Sequence, residues 1–182
     1  MMTDEELMIA CADGADDAFG ELFRRYTPIL LRLVQRHVGR PADAQDIVQQ
    51  TFLQLHRARR DFRRDTRFRP WIMTIALNLS RDLLRRRGRR RETAVDEATL
   101  PVPESTPTDG GDAARRVRSA LSGLPREQRE VIELHWFEQL SFDEVAKVIG
   151  VTSGAARVRA HRGYVALRRC LDAGEAGDAV PR

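Results

Sequence analysis

The sequence predicts an all-α protein: two small helical domains joined by a flexible acidic linker. Three observations carry this. Apolar residues recur at helical spacing in several segments, and no segment is read as a strand. Charge is divided along the chain. Residues 1–91 carry 19 bases and 12 acids, residues 92–112 carry six acids and no base, and residues 113–182 carry 12 bases and nine acids. The acidic stretch, "ETAVDEATLPVPESTPTDGGD", also holds three prolines and a glycine pair, which disfavour a packed element.

The first domain, residues 1–91, reads as four helices. Thr3 followed by Asp4, Glu5 and Glu6 has the composition of a helix start, with acids near the positive end of the dipole. Asp16 is placed to cap a second helix to about Val38. Its apolar stripe is Phe19, Leu22, Phe23, Tyr26, Leu30, Leu33 and Val34, with a kink expected at Pro28. A third helix is expected from about Ala42 to Arg60, with Ala44, Val48, Thr51, Phe52 and Leu55 toward the core. A fourth starts at Pro70, a residue suited to a first turn, and runs into an arginine block. There Ile72, Ile75, Ala76, Leu79 and Leu83 point inward with Trp71 at the edge, and position 92 lies near the domain boundary.

Residues 92–112 form the expected linker, and residues 113–171 the second domain. One helix covers roughly Ala113 to Ser122, and Pro125 opens another through about Glu138. Ser141 and Glu144 form an S-x-x-E capping box for a third, which Gly150 ends. Ser153 or Thr152 caps a last helix to about Leu171, and the tail 172–182 is expected to be disordered.

Composition narrows the function classes. Lys147 is the only lysine, so positive charge is carried almost wholly by planar guanidinium forks, which suit phosphates and base edges. Two basic modules around an acidic strap fit a nucleic-acid partner, although two solvated basic surfaces would give the same count. Cys11 and Cys170 lie at opposite ends without a CxxC, which fits reduced thiols rather than a disulfide or zinc framework. No apolar run is long enough to span a membrane, and the acidic N-terminus is unlike a signal peptide, so a cytoplasmic protein is expected. The four histidines, His37, His56, His135 and His161, are scattered. With no phosphate loop, metal-spaced cluster or nucleophile–base pair, neither an enzyme nor a cofactor nor a small-molecule substrate is expected.

Three surfaces stand out. "LSFDEVAKVIGVTSGAARVRAHRGYVAL" has helix-turn-helix spacing, with Gly150 at the turn and Val151 plugging the corner. Winding its second helix at about 100° per residue puts Ala156, Ala160, Gly163, Tyr164 and Leu167 on one face. Arg157, Val158, His161 and Arg162 then face outward, where the first half of such a helix enters a major groove. A helical hairpin with a solvated basic face is the alternative. On "PADAQDIVQQTFLQLHRARR", Asp43, Asp46, Gln49, Gln50 and Leu53 share the face opposite the core, which suits either docking to a protein or plain solvation. On the next helix Thr74, Asn78, Arg81 and Arg85 form a polar stripe, preceded by the basic loop "RRDTRFR" with Phe68 inside it. Such a track can hold a backbone while an aromatic or amide engages an unstacked base, or Phe68 can be core.

Taken in order, "DAQDIVQQTFLQLH", "FRPWIMTIALNLSRDLLRRRGRR", an acidic linker and "LPREQREVIELHWFEQLSFDEVAKVIGVTSGAARVRAHRGYVALRR" resemble a bacterial RNA polymerase sigma factor. The resemblance is to the sigma-70 family, extracytoplasmic-function (ECF) subgroup, over about residues 16–91 and 115–170. It implies a fold of region 2 and region 4 around a linker that replaces a middle domain and threads toward the RNA exit path. By this resemblance Asp43, Asp46, Gln49, Gln50 and Leu53 dock on the clamp of the polymerase largest subunit, and the second domain meets the flap. Arg63, Arg64, Asp65, Thr66, Arg67 and Phe68, with Asn78, Arg81 and Arg85, melt and read the −10 element, as duplex and as single strand. Thr152, Ser153, Arg157, Val158, His161 and Arg162 read the −35 element. It also implies a free monomer held inactive by an anti-sigma factor, in the cytoplasm or at the inner face of the membrane. The chain departs from the family pattern at Ala155, Ala156, Ala160 and Val158 and in its arginine-rich −10 loop, so promoter sequence does not carry over. A stand-alone helix-turn-helix regulator is the rival, and it predicts tight specific duplex binding without polymerase.

Overall fold

The computed structural model describes residues 2–93 and 111–177, so the expected linker lies, from 94 to 110, outside the described residues. The chain divides into two units, Met1–Glu104 and Ser105–Arg182, and among the described residues every regular element is helical.

The first unit holds α1 (Asp4–Ala12), α2 (Asp16–Val38), α3 (Pro41–Arg57) and α4 (Phe68–Thr93), with a 3-10 turn at Arg59–Asp61. The helix start expected at Thr3 is a reciprocal cap. Thr3 Oγ1 accepts the Glu6 N–H at 3.2 Å, and the Glu6 carboxylate accepts the Thr3 N–H at 2.7 Å. The cap expected at Asp16 is not made: Ala15 is the N-cap, with no side-chain bond, and Asp16 is the first helical residue. α2 runs on through Pro28, which sits on the exposed side, where water can meet the carbonyl that loses its N–H partner.

α2 is the central element and packs on α1, α3 and α4. Leu22, Tyr26, Leu30, Leu33, Val34 and Val38 are buried, each large aliphatic side chain contributing about 1.5–3 kcal/mol by leaving water. Phe19 and Phe23, placed in this stripe from the sequence, are half-buried and exposed respectively, and both rings rest on Phe52. α1 is fastened to α2 by a polar network. Tyr26 donates to Asp4 Oδ2 at 2.5 Å, and Arg25 bonds Asp4 Oδ1 at 2.8 Å and Glu21 Oε1 at 2.6 Å. Burial, then the bond to Asp4, pushes the Tyr26 phenol well above its usual range.

α4 begins two residues before Pro70 because Phe68 is drawn into the core. Its buried face is Ile72, Met73, Ala76, Leu77 and Ser80, rotated from the expected one; Ile75, Leu79 and Leu83 are only half-buried. Ser80 is tolerated inside because its hydroxyl donates to the Ala76 carbonyl at 2.8 Å.

The second unit holds α5 (Asp112–Ser122), α6 (Arg126–Ile132), a π-helical turn at Glu133–Phe137, α7 (Phe142–Ile149) and α8 (Ser153–Gly177). α8 packs on α5, α6 and α7. Leu121, Leu124 and Ile132 form a buried cluster, and Tyr164, Ala166 and Leu167 of α8 close over it. The contact is tight at Gly163, where a Cβ would lie 2.7 Å from Ile132 Cδ1 and 3.3 Å from Gln128 Cβ. α8 continues to Gly177, past the expected end at Leu171, and residues 178–182 lie outside the described residues.

Candidate functional site

In the second unit the local chemistry of the turn is as expected. Ser141 Oγ accepts the Glu144 N–H at 3.3 Å and Glu144 Oε2 accepts the Ser141 N–H at 2.9 Å, which starts α7. Gly150 ends it in the left-handed region, at φ 73° and ψ 42°. Thr152 rather than Ser153 caps α8, its Oγ1 accepting the Ala155 N–H at 3.2 Å. α8 buries Ala156 and Ala160 and presents Arg157, Val158, His161 and Arg162 to solvent, with Val158 51% exposed. Arg157 lies over the Phe142 ring at 5.9 Å, and that ring stacks on His135 at 4.2 Å. Ser153 does not join this surface: its hydroxyl is buried, without a hydrogen-bond partner among the described residues. A ligand reaching Arg157 does not reach Ser153 Oγ.

In the first unit, α3 turns Asp46, Gln49, Gln50 and Leu53 outward together, with Leu53 44% exposed. Ala44, Ile47, Val48, Thr51, Phe52 and Leu55 are buried on the other side. Asp43 does not belong to the open face. It pairs with Arg87 Nη2 of α4 at 2.6 Å, with side chains 19% and 27% exposed.

The basic loop is anchored rather than free at its end. Phe68 has no exposed surface; its ring meets Tyr26 edge-on at 4.9 Å, and its N–H donates to Glu5 Oε1 at 3.1 Å. It is core, so the reading in which it engages a base is corrected: no face of the ring is open to stack on. Arg63, Arg64, Asp65 and Arg67 are exposed, Thr66 is half-buried, and Arg63 pairs with Asp65 at 3.2 Å. The half-exposed rings beside this loop are Phe62 and Trp71, 5.2 Å apart; the sequence reading places Trp71 at the edge of the core and does not single out Phe62. Only tertiary packing decides which of three nearby aromatics is buried. Along α4, Asn78 and Arg85 are exposed and Arg81 is half-buried. Arg81 donates to Asn78 Oδ1 at 3.0 Å, and Arg85 pairs with Asp82. A further surface the sequence did not single out is Trp136 with Phe137 in the π-helical turn, 61% and 51% exposed.

Two helical units, one of them with an outward helix-turn-helix, have the makeup of a DNA-binding protein. Residues 22–90 match the family profile of Sigma-70 region 2, and residues 114–167 match that of Sigma-70, region 4. The chain is 41% identical to the RNA polymerase sigma factor CarQ of Myxococcus xanthus, over 87% of this chain and 92% of that one. To the ECF RNA polymerase sigma factor SigE of Mycolicibacterium smegmatis it is 34% identical, over 93% of this chain and 69% of that one. Among solved structures it is similar to CnrH in complex with the cytosolic domain of CnrY, with TM-score 0.71 and 33% identity, covering 93% of this chain and 97% of that one.

The chain belongs to the sigma-70 family of RNA polymerase sigma factors, in the ECF group. It directs core RNA polymerase to promoter DNA for transcription initiation and is not an enzyme. Among the described residues no helix is long and apolar enough to cross a membrane.

Proposed function

We propose that the first domain, residues 1–91, docks on the clamp of the polymerase largest subunit through Asp46, Gln49, Gln50 and Leu53 and captures the opened −10 strand. The second, 113–171, reads the −35 duplex and meets the flap, and the stretch 92–112 tethers the two. The observation that supports docking most is the outward cluster of two amides, a carboxylate and a 44% exposed leucine on a helix whose other face is core. An exposed leucine ringed by polar groups offers the apolar centre and polar rim of a protein interface.

Strand capture falls to Arg63, Arg64, Asp65, Thr66 and Arg67 with Asn78, Arg81 and Arg85. Phe62 and Trp71, not Phe68, supply the accessible rings. Extruding a base costs a few kcal/mol, and contacts that only an unpaired strand can make offset it. Arg157, Val158, His161 and Arg162, with Thr152 at the helix start, read the −35 element. CnrH is solved with the cytosolic domain of CnrY, and a sigma factor of Bartonella quintana with the anti-sigma factor NepR. By analogy this chain is held by an anti-sigma factor, in the cytoplasm or at the inner face of the membrane, and is a monomer when free.

Leu53→Asp combined with Asp46→Arg tests the docking face. Co-purification with core polymerase is lost while the helical circular dichroism is kept; unchanged co-purification removes the assignment.

A further inference from the structure

Among Arg81, Arg85, Arg86, Arg87 and Arg89 of α4, Arg87 is set apart by the face it leaves from. Seven residues beyond Ser80, two turns on, it continues the inward row of Ile72, Met73, Ala76, Leu77 and Ser80. Asn78, Arg81 and Arg85 lie on the opposite side. Where the buried row ends, Arg87 reaches across to the first turn of α3 and meets Asp43 Oδ1 at 2.6 Å. Asp43 is suited to receive it, because a carboxylate in a first turn is already favoured by the helix dipole. The remaining Asp43 oxygen, Oδ2, is buried and accepts no hydrogen bond among the described residues. Neither side chain is thus presented as a free contact, one to polymerase and the other to phosphate.

We propose that Asp43 and Arg87 form an intramolecular clasp that sets the arginine-bearing end of α4 against the polymerase-docking helix. Both are positioning residues. This rests on the reading of α3 as the docking helix and α4 as the strand-capture helix. Beyond the clasp, half-buried Leu83 and Leu84 also hold this part of α4; without the clasp, Arg85 loses its fixed place relative to the docked helix. The clasp thereby couples docking to strand capture.

A double-mutant cycle on the full chain tests this, with Asp43→Asn, Arg87→Gln and both together. In the free protein, amide hydrogen exchange over residues 84–89 should speed up by roughly 1.5- to five-fold in each single variant and no further in the double. On holoenzyme, each variant should slow open-complex formation on duplex promoter, keep polymerase co-purification, and leave the salt dependence of promoter binding unchanged. Unaltered exchange, or additive effects, would overturn the clasp. So would a salt slope lower by about one in Arg87→Gln, the mark of a lost phosphate contact, or lost co-purification in Asp43→Asn. Wild-type open-complex rates in all variants would overturn the positioning role. The exchange arm needs no polymerase. If it succeeds while wild-type chain fails to bind polymerase, the docking reading falls and the clasp stands.

Discussion

At the scale of single residues, burial decides which of several chemically eligible side chains can act. Phe68 sits inside a basic loop and is fully buried against Tyr26. Phe68→Ala should therefore destabilise the first unit by about 3–5 kcal/mol, as a large core truncation does. Arg64→Ala, on the exposed part of the same loop, should leave stability within about 0.5 kcal/mol and weaken promoter binding by charge alone. Denaturant unfolding followed by hydrogen exchange of α2 core amides separates the two. In the second unit, Arg162→Ala should weaken −35 binding by about 1–3 kcal/mol if the guanidinium reads a base edge. Footprints of equal strength on cognate and scrambled −35 sequences would place it off the bases. The outward arginines of α8 were legible in the sequence because a helix winds at a fixed angle. Ser153 and Phe68 were not, because a hydroxyl or a ring can face in or out at the same position, and only neighbours far along the chain decide. Glu5, which accepts the Phe68 N–H, is 63 residues away.

At the scale of elements, caps and turns were the most readable features, since their chemistry is local. The helix start at Thr3, the Ser141 box and the Gly150 stop lie where sequence places them, whereas the cap expected at Asp16 is not made. The inward face of α4 was less readable. Met73 and Ser80 are buried there while Ile75 and Leu79 are half-buried, so apolar type alone misplaced the face. The polar fastening of α1 to α2 carries a pH dependence. The folded state raises the Tyr26 phenol, so the folded chain keeps a proton that the unfolded chain releases above about pH 10. That stability is fully present below pH 10 and is lost as pH climbs beyond it. Between pH 8 and 10.5 the first unit of the wild type should thus lose more stability than the same unit in Tyr26→Phe. Parallel losses in the two proteins would remove Tyr26 as the cause.

At the scale of the whole molecule, the chain divides into two helical units, each bearing one of the proposed contact surfaces. Its two sigma regions were legible because helix-turn-helix spacing and the acidic-amide helix occur in one order with an acidic stretch between them. The exposed Trp136 and Phe137 were not, because the π-helical turn that displays them leaves no periodic signal. On the proposed reading, strand capture belongs to the assembled holoenzyme. Asn78→Ala should slow opening of a duplex promoter more than engagement of a pre-melted one, and equal slowing on both would argue against capture by that helix.

The central claim is that these two surfaces read a promoter together only when core polymerase holds them. It is tested most directly by footprinting a cognate promoter with the full chain alone and with sigma-free core polymerase. The account predicts little protection by the chain alone, and joint −35 and −10 protection with strand opening once core is added. Strong, sequence-specific protection of both elements by the free chain, unchanged by polymerase, would contradict it.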